Sequence, residues 1–305
     1  MEDYFFPKTN KLEVLIAGGT GFIGKELIKV LRIRGHSVLV LSRKAEGTDI
    51  VEWDPEHKKI DASKISETET LINLCGAGIA DKRWSRKRKK VLLDSRIKPA
   101  EFLYELRSKM PRLKQYISAS GISCYGFAQR NEPYTEKDSY GADFISGLVR
   151  KWESSAAVFE KNVTVTKLRI AFVLSSKGGA ASKMMQPIKW GVGAPIGNGK
   201  QIIQWIHIED LANMFAHVLE NKIEGTYNTA SGNHTNREMM KILADSIGRR
   251  IWLPAIPATL IKLIFGEMAD LLIHGVSVSS DKIRSTGFKF QYDTLKKAIA
   301  KTTLK

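Results

Sequence analysis

The stretch VLIAGGTGFIGKEL, Val14 to Leu27, constrains the fold of this 305-residue chain more than any other. Leu12 to Ala17 is a short apolar run followed at once by glycines. Phe22, Ile23, Leu27, Ile28 and Leu31 then recur at helical spacing up to Gly35. Val38 to Leu41 is a second apolar run. Strand, tight turn, helix and strand within about thirty residues make a βαβ unit, which implies a right-handed crossover between parallel strands.

Gly18, Gly21 and Gly24, with Thr20 among them, follow a G-x-x-G-x-x-G spacing. The turn is tight enough to need missing β-carbons, lets backbone approach a pyrophosphate, and opens a helix whose free N–H groups and dipole receive negative charge. The N–H groups of Phe22 and Ile23 are placed to do so. A purely structural turn could use the same glycines, but their place between the first strand and first helix of a βαβ unit favours a dinucleotide. Enzymes using NAD place an acid after the second strand to hold the ribose 2′-hydroxyl. Here the residues are VLSRK, and Ser42 and Arg43 suit a 2′-phosphate through charge-assisted hydrogen bonds. The cofactor expected is NADP(H).

The alternation continues with a strand at Thr70 to Leu74, a long helix from about Ser85 to Lys109, a strand at Gln115 to Ala119, a helix from about Phe144 to Lys161 and a strand at Val163 to Leu168. The fold class expected is therefore α/β, a doubly wound parallel sheet or Rossmann fold. Beyond Val173 the texture becomes glycine-rich, with an amphipathic helix around Met184 to Trp190. IIQWIHIEDLANMFAHVLENKIEGTYNTA then reads strand, helix, strand, before a largely helical tail. Residues 11–173 are expected to form the NADP-binding domain, rejoined by 202–230, and residues 174–305 a smaller substrate-side lobe with the C-terminal tail.

Composition narrows the class. No run approaches the roughly 20 apolar residues of a membrane span, and the N-terminal stretch MEDYFFPKTNKLEV lacks the features of a secretory signal. Cys75 and Cys124 show neither CxxC nor Cys/His spacing, which fits a reducing, cytoplasmic setting and offers no metal site. The formal charge is +16, and seven basic residues lie between Lys82 and Lys90. A solvated helix face, a cofactor-side helix and a nucleic-acid patch compete as readings of that run.

With these residues in hand the chain resembles the extended short-chain dehydrogenase/reductases of the epimerase/dehydratase superfamily, and within them the "epimerase family protein" branch, family 39U. The resemblance runs through GGTGFIG, SRK, NLCGAGI, RWSRKRKKVLLDSRI, SASGISCYG, DFISGLVRKWESSAA, LRIAFVLSSKGGA, GAPIGNGKQIIQWIHIEDLA, GTYNTAS and STGFKFQYDTLKKAI. It implies that Leu74, Cys75 and Gly76 line the adenosine and phosphate side, that Ser95 and Arg96 come from the basic helix with Arg96 facing the cofactor, and that Val173 lies by the nicotinamide. A cofactor beside the basic run weakens the nucleic-acid reading.

Standard members of that superfamily use a Tyr-x-x-x-Lys pair, the lysine lowering the tyrosine's pKa. The chain's own pairs, Tyr4/Lys8 and Tyr292/Lys296, lie before the first strand and in the terminal helix. Aligning Glu153 with the glutamate that follows the pair puts Ile145 and Val149 in its place. The hydroxyl partner survives as Ser118 or Ser120, with Gly121 leaving the register open. Tyr125 reads as a pocket wall or core aromatic. Tyr140, Asp143 and His207 are further acid or base candidates, with His207 read as packing at a domain junction and Asp210 as capping the next helix or bonding nearby backbone.

The function expected is an NADP(H)-dependent oxidoreductase or epimerase acting on a small carbonyl or sugar-like substrate, with a homodimer left open. The alternative is a non-catalytic NADPH-binding sensor or interaction protein. The missing pair favours the alternative, and the retained serines and second lobe favour the enzyme.

Overall fold

The computed structural model describes residues 11–44, 47–176 and 178–303. Its opening unit is β1 (Glu13–Ala17), α1 (Phe22–Ile33) and β2 (Ser37–Ser42). β3 (Ile50–Asp54) and β4 (Lys59–Ile60) follow as a short hairpin that the sequence pattern did not announce. β5 (Thr70–Asn73), α2 (Arg86–Glu105), β6 (Gln115–Gly121), α3 (Phe144–Ala157) and β7 (Thr164–Ile170) complete the alternation. The two long helices end in 3-10 turns, Leu106–Lys109 and Val158–Lys161, so both are shorter as α-helix than their apolar pattern suggested.

β8 (Phe172–Leu174), α4 (Ala180–Lys189), β9 (Ile202–His207), α5 (Ile208–Glu220), β10 (Gly225–Asn228), β11 (Gly232–Thr235) and α6 (Asn236–Asp245) come next. α7 (Ala258–Phe265), α8 (Asp270–Ile273), α9 (Asp281–Arg284) and α10 (Leu295–Thr303) form the helical tail. Among the described residues one sheet has eight strands in the order β10-β7-β6-β5-β1-β2-β3-β4, and a second has three, β11-β9-β8. In the large sheet only the β3–β4 pairing is antiparallel. β10 joins that sheet beside β7, whereas β9 pairs with β8 and β11 in the small one.

A parallel sheet is covered on both faces, so its central strands are apolar throughout. Alternate residues of β1 show this. Val14 and Ile16 belong to the core that holds Leu27 and Leu31 of α1 with Leu211 and Phe215 of α5. Leu15 and Ala17 belong to the core with Phe102 and Leu103 of α2. A third core, around Leu174, Trp205, Met239 and Ile299, holds the small sheet.

From β1 the chain winds outward through β2 to β4. It then returns to the other side of β1 and winds outward again through β5, β6, β7 and β10. Where strand order reverses, two crossovers leave in opposite directions and a crevice opens beyond the carboxyl ends of the strands. In this chain that crevice lies at Gly18 and at Leu74–Gly76.

Candidate functional site

A cleft of about 570 Å³ occupies that switch point. Of the residues singled out from the sequence, it brings together Gly18, Thr20, Gly21, Ser42, Arg43, Leu74, Cys75 and Gly76. Gly18 has φ of 79°, and a β-carbon there would stand 2.9 Å from the carbonyl carbon of Leu74, so the turn and the end of β5 touch through backbone. Gly24 does not line the cleft but lets α1 descend onto the turn, for a β-carbon on it would lie 2.5 Å from the Gly19 carbonyl oxygen. The N-cap of α1 is Gly21. No side chain caps the helix and its first turn carries no acid, so the N–H groups at Phe22 and Ile23 face no competing carboxylate.

Arg43 is exposed at the far end of the cleft and has no ion-pair partner among the described residues. Ser42 accepts a hydrogen bond from the Lys44 N–H through Oγ. The opposite wall, Trp53, Asp54, Pro55 and Glu56, went unread in the sequence, although the apolar-polar alternation of IVEWD broken by Pro55 is the signal of a strand and its end. Lys98 of α2 lies 3.5 Å from Glu56 and 3.7 Å from Asp94, bridging the cleft mouth. Burial pushes the Cys75 thiol up to about 12, so it is no thiolate at neutral pH.

Val173 and Phe22 converge from different parts of the fold. Where a β-carbon on Gly179 would stand, the Phe22 ring is 3.1 Å away and the Val173 carbonyl oxygen 3.6 Å away. Arg96 lies one layer behind the cleft wall, only 5% exposed, with its guanidinium against Gly76. Ser95 meets the cleft and accepts the Ala77 N–H at 3.0 Å. In the basic run, Ser85 caps α2, Arg88 donates to the Gly78 carbonyl and Lys89 pairs with Glu267.

The hydroxyl candidates lie inside the molecule. Ser120, the last residue but one of β6, donates to Glu153 Oε1 at 2.5 Å. Glu153 also accepts two bonds from Arg169, at 2.8 and 3.0 Å, and one from the Tyr140 hydroxyl at 2.6 Å. Tyr125 donates to Asn228 and accepts from Arg169. Burial works to raise the Glu153 carboxyl, but Arg169 with Ser120 and Tyr140 outweighs it and holds the group below its ordinary value. Burial, then Glu153, pushes the Tyr140 phenol up to about 12. Ser118 is further down the strand and donates to the Ala119 carbonyl at 2.9 Å. The structure thus joins Ser120 and Tyr125 through one ionic cluster and leaves Ser118 outside it.

Ile145 and Val149 are fully buried in the core and offer no proton. Tyr4 and Lys8 lie outside the described residues. Tyr292 packs against His207, ring centroids 4.0 Å apart, and donates to Glu209. Asp143 caps α3 through the Ser146 N–H. His207 is itself the cap of α5, and burial pulls it down to about 4. Asp210 therefore caps nothing. It accepts the N–H groups of Gln291 and Tyr292, more than eighty residues along the chain rather than nearby.

Comparison with known proteins adds the following. The family described as NAD dependent epimerase/dehydratase matches residues 14–230, and a domain of unknown function, DUF1731, matches residues 256–302. Human "epimerase family protein SDR39U1" is 33% identical over 296 residues, 94% of this chain and 98% of that protein. A Mycobacterium leprae epimerase family protein is 31% identical, with 97% of each chain covered. The crystal structure of human SDR39U1 (isoform 2) with NADPH superposes with a TM-score of 0.87 at 31% identity, covering 95% of this chain and 99% of that one. A Thermus thermophilus UDP-glucose 4-epimerase complexed with NAD has a TM-score of 0.76 at 19% identity, a likeness of fold.

Proposed function

The chain belongs to the NAD dependent epimerase/dehydratase family, among its SDR39U1-type epimerase family proteins, and from that premise we propose that it binds NADP(H) and acts as an oxidoreductase or epimerase on a small carbonyl or sugar-like substrate. One observation carries the reading: the switch-point cleft joins a glycine cradle and an uncapped helix start to Ser42 and Arg43 at its other end. The human relative solved with NADPH supports the same cofactor.

In this reading residues 11–173 form the cofactor-binding domain, rejoined by α5 and β10 rather than by β9, and 174–305 otherwise form mainly the substrate-side lobe. Phe22 and Ile23 N–H groups receive the pyrophosphate. Arg43 and Ser42 bind the 2′-phosphate. Leu74, Cys75 and Gly76 line the adenosine and phosphate side, and Val173 the nicotinamide side. Bound NADP(H) supplies hydride exchange at its nicotinamide ring. Ser120, near the carboxyl end of β6, would polarise a substrate oxygen only once its proton is released from Glu153, with Tyr125 bonded to Arg169 and Asn228 in the same cluster. We place the protein in the cytoplasm. Among the described residues no helix is long and apolar enough to cross a membrane.

Calorimetric titration with all four pyridine dinucleotides tests the cofactor. Wild type is expected to bind the 2′-phosphorylated forms more tightly, and Arg43→Ala to narrow the gap by about tenfold or more, as for a charge-assisted pair. Equal affinity of the unmutated protein for NAD and NADP overturns the assignment. The burial of Ile145 and Val149 favours a second reading, a non-catalytic NADPH sensor or interaction protein. Stopped-flow absorbance separates the two: the enzyme is expected to oxidise bound NADPH with some member of a carbonyl and nucleotide-sugar panel. No oxidation by any member leaves the sensor.

A further inference from the structure

Of the nine large apolar side chains that stand exposed among the described residues, six fall in two short segments: Trp190 and Val192 in one, Trp252, Leu260, Leu263 and Ile264 in the other. Exposed apolar groups are ordinary when scattered, but a cluster marks a contact surface. The segments are joined. Trp252 Nε1 donates to the Gly191 carbonyl at 3.1 Å, and the Ile256 N–H donates to the Pro195 carbonyl and the Gly197 N–H to the Ile256 carbonyl, both at 2.8 Å. α7 starts two residues after Ile256, and Leu260, Leu263 and Ile264 have the i, i+3, i+4 spacing of one helix face. Its one fully buried residue is Ile261. Trp190 and Leu263 are each 74% exposed, too far out to wall a cavity, and none of the six borders the dinucleotide cleft.

The charge carried by these segments is of one sign. No acid occurs between Glu160 and Glu209, nor between Asp245 and Glu267, whereas Lys189, Arg249, Arg250 and Lys262 are all exposed. Where α7 ends, a β-carbon on Gly266 would stand 2.8 Å from Arg83 Nε, which brings up the basic run Lys82 to Lys90. The acids that follow α7 are matched, Glu267 by Lys89 and Asp270 by Lys262. A second copy of the chain would set the same cations, and a net charge of +16, against itself. Nucleic acid would match the cations and leave the aliphatic side chains in water. A bilayer with anionic headgroups satisfies both: apolar side chains enter the acyl boundary, indole rings sit at headgroup level and cations meet phosphates. With eight residues α7 is far short of a span, so it would lie on the surface.

We propose that α7, together with Trp190 and Trp252, docks the protein on an anionic membrane surface, the apolar side chains entering it and the flanking lysines and arginines holding its phosphates. The inference stands apart from the cofactor assignment made above, because the dinucleotide cleft shares none of these residues.

The experiment sediments the full chain with vesicles of phosphatidylcholine alone and of phosphatidylcholine mixed with phosphatidylglycerol. Wild type is expected to bind the anionic vesicles, to bind the neutral ones far less, and to come off as added salt screens the attraction. Leu263→Gln combined with Ile264→Gln should weaken binding to anionic vesicles on the order of tenfold or more, through the apolar area no longer buried. Arg249→Gln combined with Arg250→Gln should weaken it by about fivefold for each cation removed. All four side chains are exposed, so both double variants should melt like wild type. Absence of wild-type binding to anionic vesicles overturns the proposal. Undiminished binding by the folded Leu263→Gln, Ile264→Gln protein also overturns it, leaving a purely ionic attachment. A dimer seen by light scattering and lost in that variant, without vesicle binding, assigns the face to a second copy instead.

Discussion

At the residue scale, single atoms decide whether the glycine turn works. Gly18 adopts a φ that side chains rarely tolerate, and Gly24 leaves room for α1 to rest on Gly19. A methyl group at Gly24 would meet backbone rather than a side-chain tip, so nothing soft can give way. Gly24→Ala is expected to cost about 1–3 kcal/mol, the range of overpacked cores, and to weaken dinucleotide binding because the helix start shifts. Denaturant unfolding with and without NADPH checks both. A variant as stable and as tightly binding as wild type would show that the contact is slack.

At the element scale, the start of α5 couples the small sheet to the C-terminal tail. His207 caps that helix under Tyr292, and Asp210 one turn in receives two tail N–H groups. Both are almost fully buried, and burial moves both toward their neutral forms: His207 from 6.5 to about 4, Asp210 from 3.8 to about 6. The native state therefore binds fewer protons at His207 than the unfolded chain does. That stability is present above pH 6.5 and is lost as pH falls toward 4. At Asp210 the native state binds more protons, so its stability is present below pH 3.8 and is lost as pH rises through 6. Each contribution is about 3 kcal/mol, of opposite slope over nearly the same window, and together they offset. Thermal melts from pH 4 to 7 should show His207→Gln losing stability as pH rises and Asp210→Asn gaining it. Parallel pH profiles in the two variants would contradict this pairing.

At the scale of the whole molecule, the cleft is built from segments as distant as Gly18, Arg43, Glu56, Gly76 and Lys98, so a ligand there should stabilise the domain as a unit. NADPH at about 100 times its Kd adds about 2.7 kcal/mol and should raise Tm by about 5 °C. A Tm unmoved by NADPH would mean that the cleft is not its site. The sequence by itself determined the βαβ opening, the parallel sheet and the tight glycine turn, and put Arg43 directly after β2, because these depend on local periodicity and on turn chemistry that tolerates only certain residues. Through the alignment on Glu153 it also led to the expectation of apolar residues, Ile145 and Val149, in place of a Tyr and Lys pair. Tertiary structure alone decided that β3 brings Trp53 to Glu56 into the cleft wall, that β9 leaves the large sheet, and that Ser120, Tyr125 and Tyr140 meet at Glu153 and Arg169. It also decided that Arg96 stands behind Gly76 with no carboxylate paired to it among the described residues. Such pairings join residues far apart in the chain, and whether a polar group is matched depends on which partner the packed core brings beside it, which no local pattern encodes.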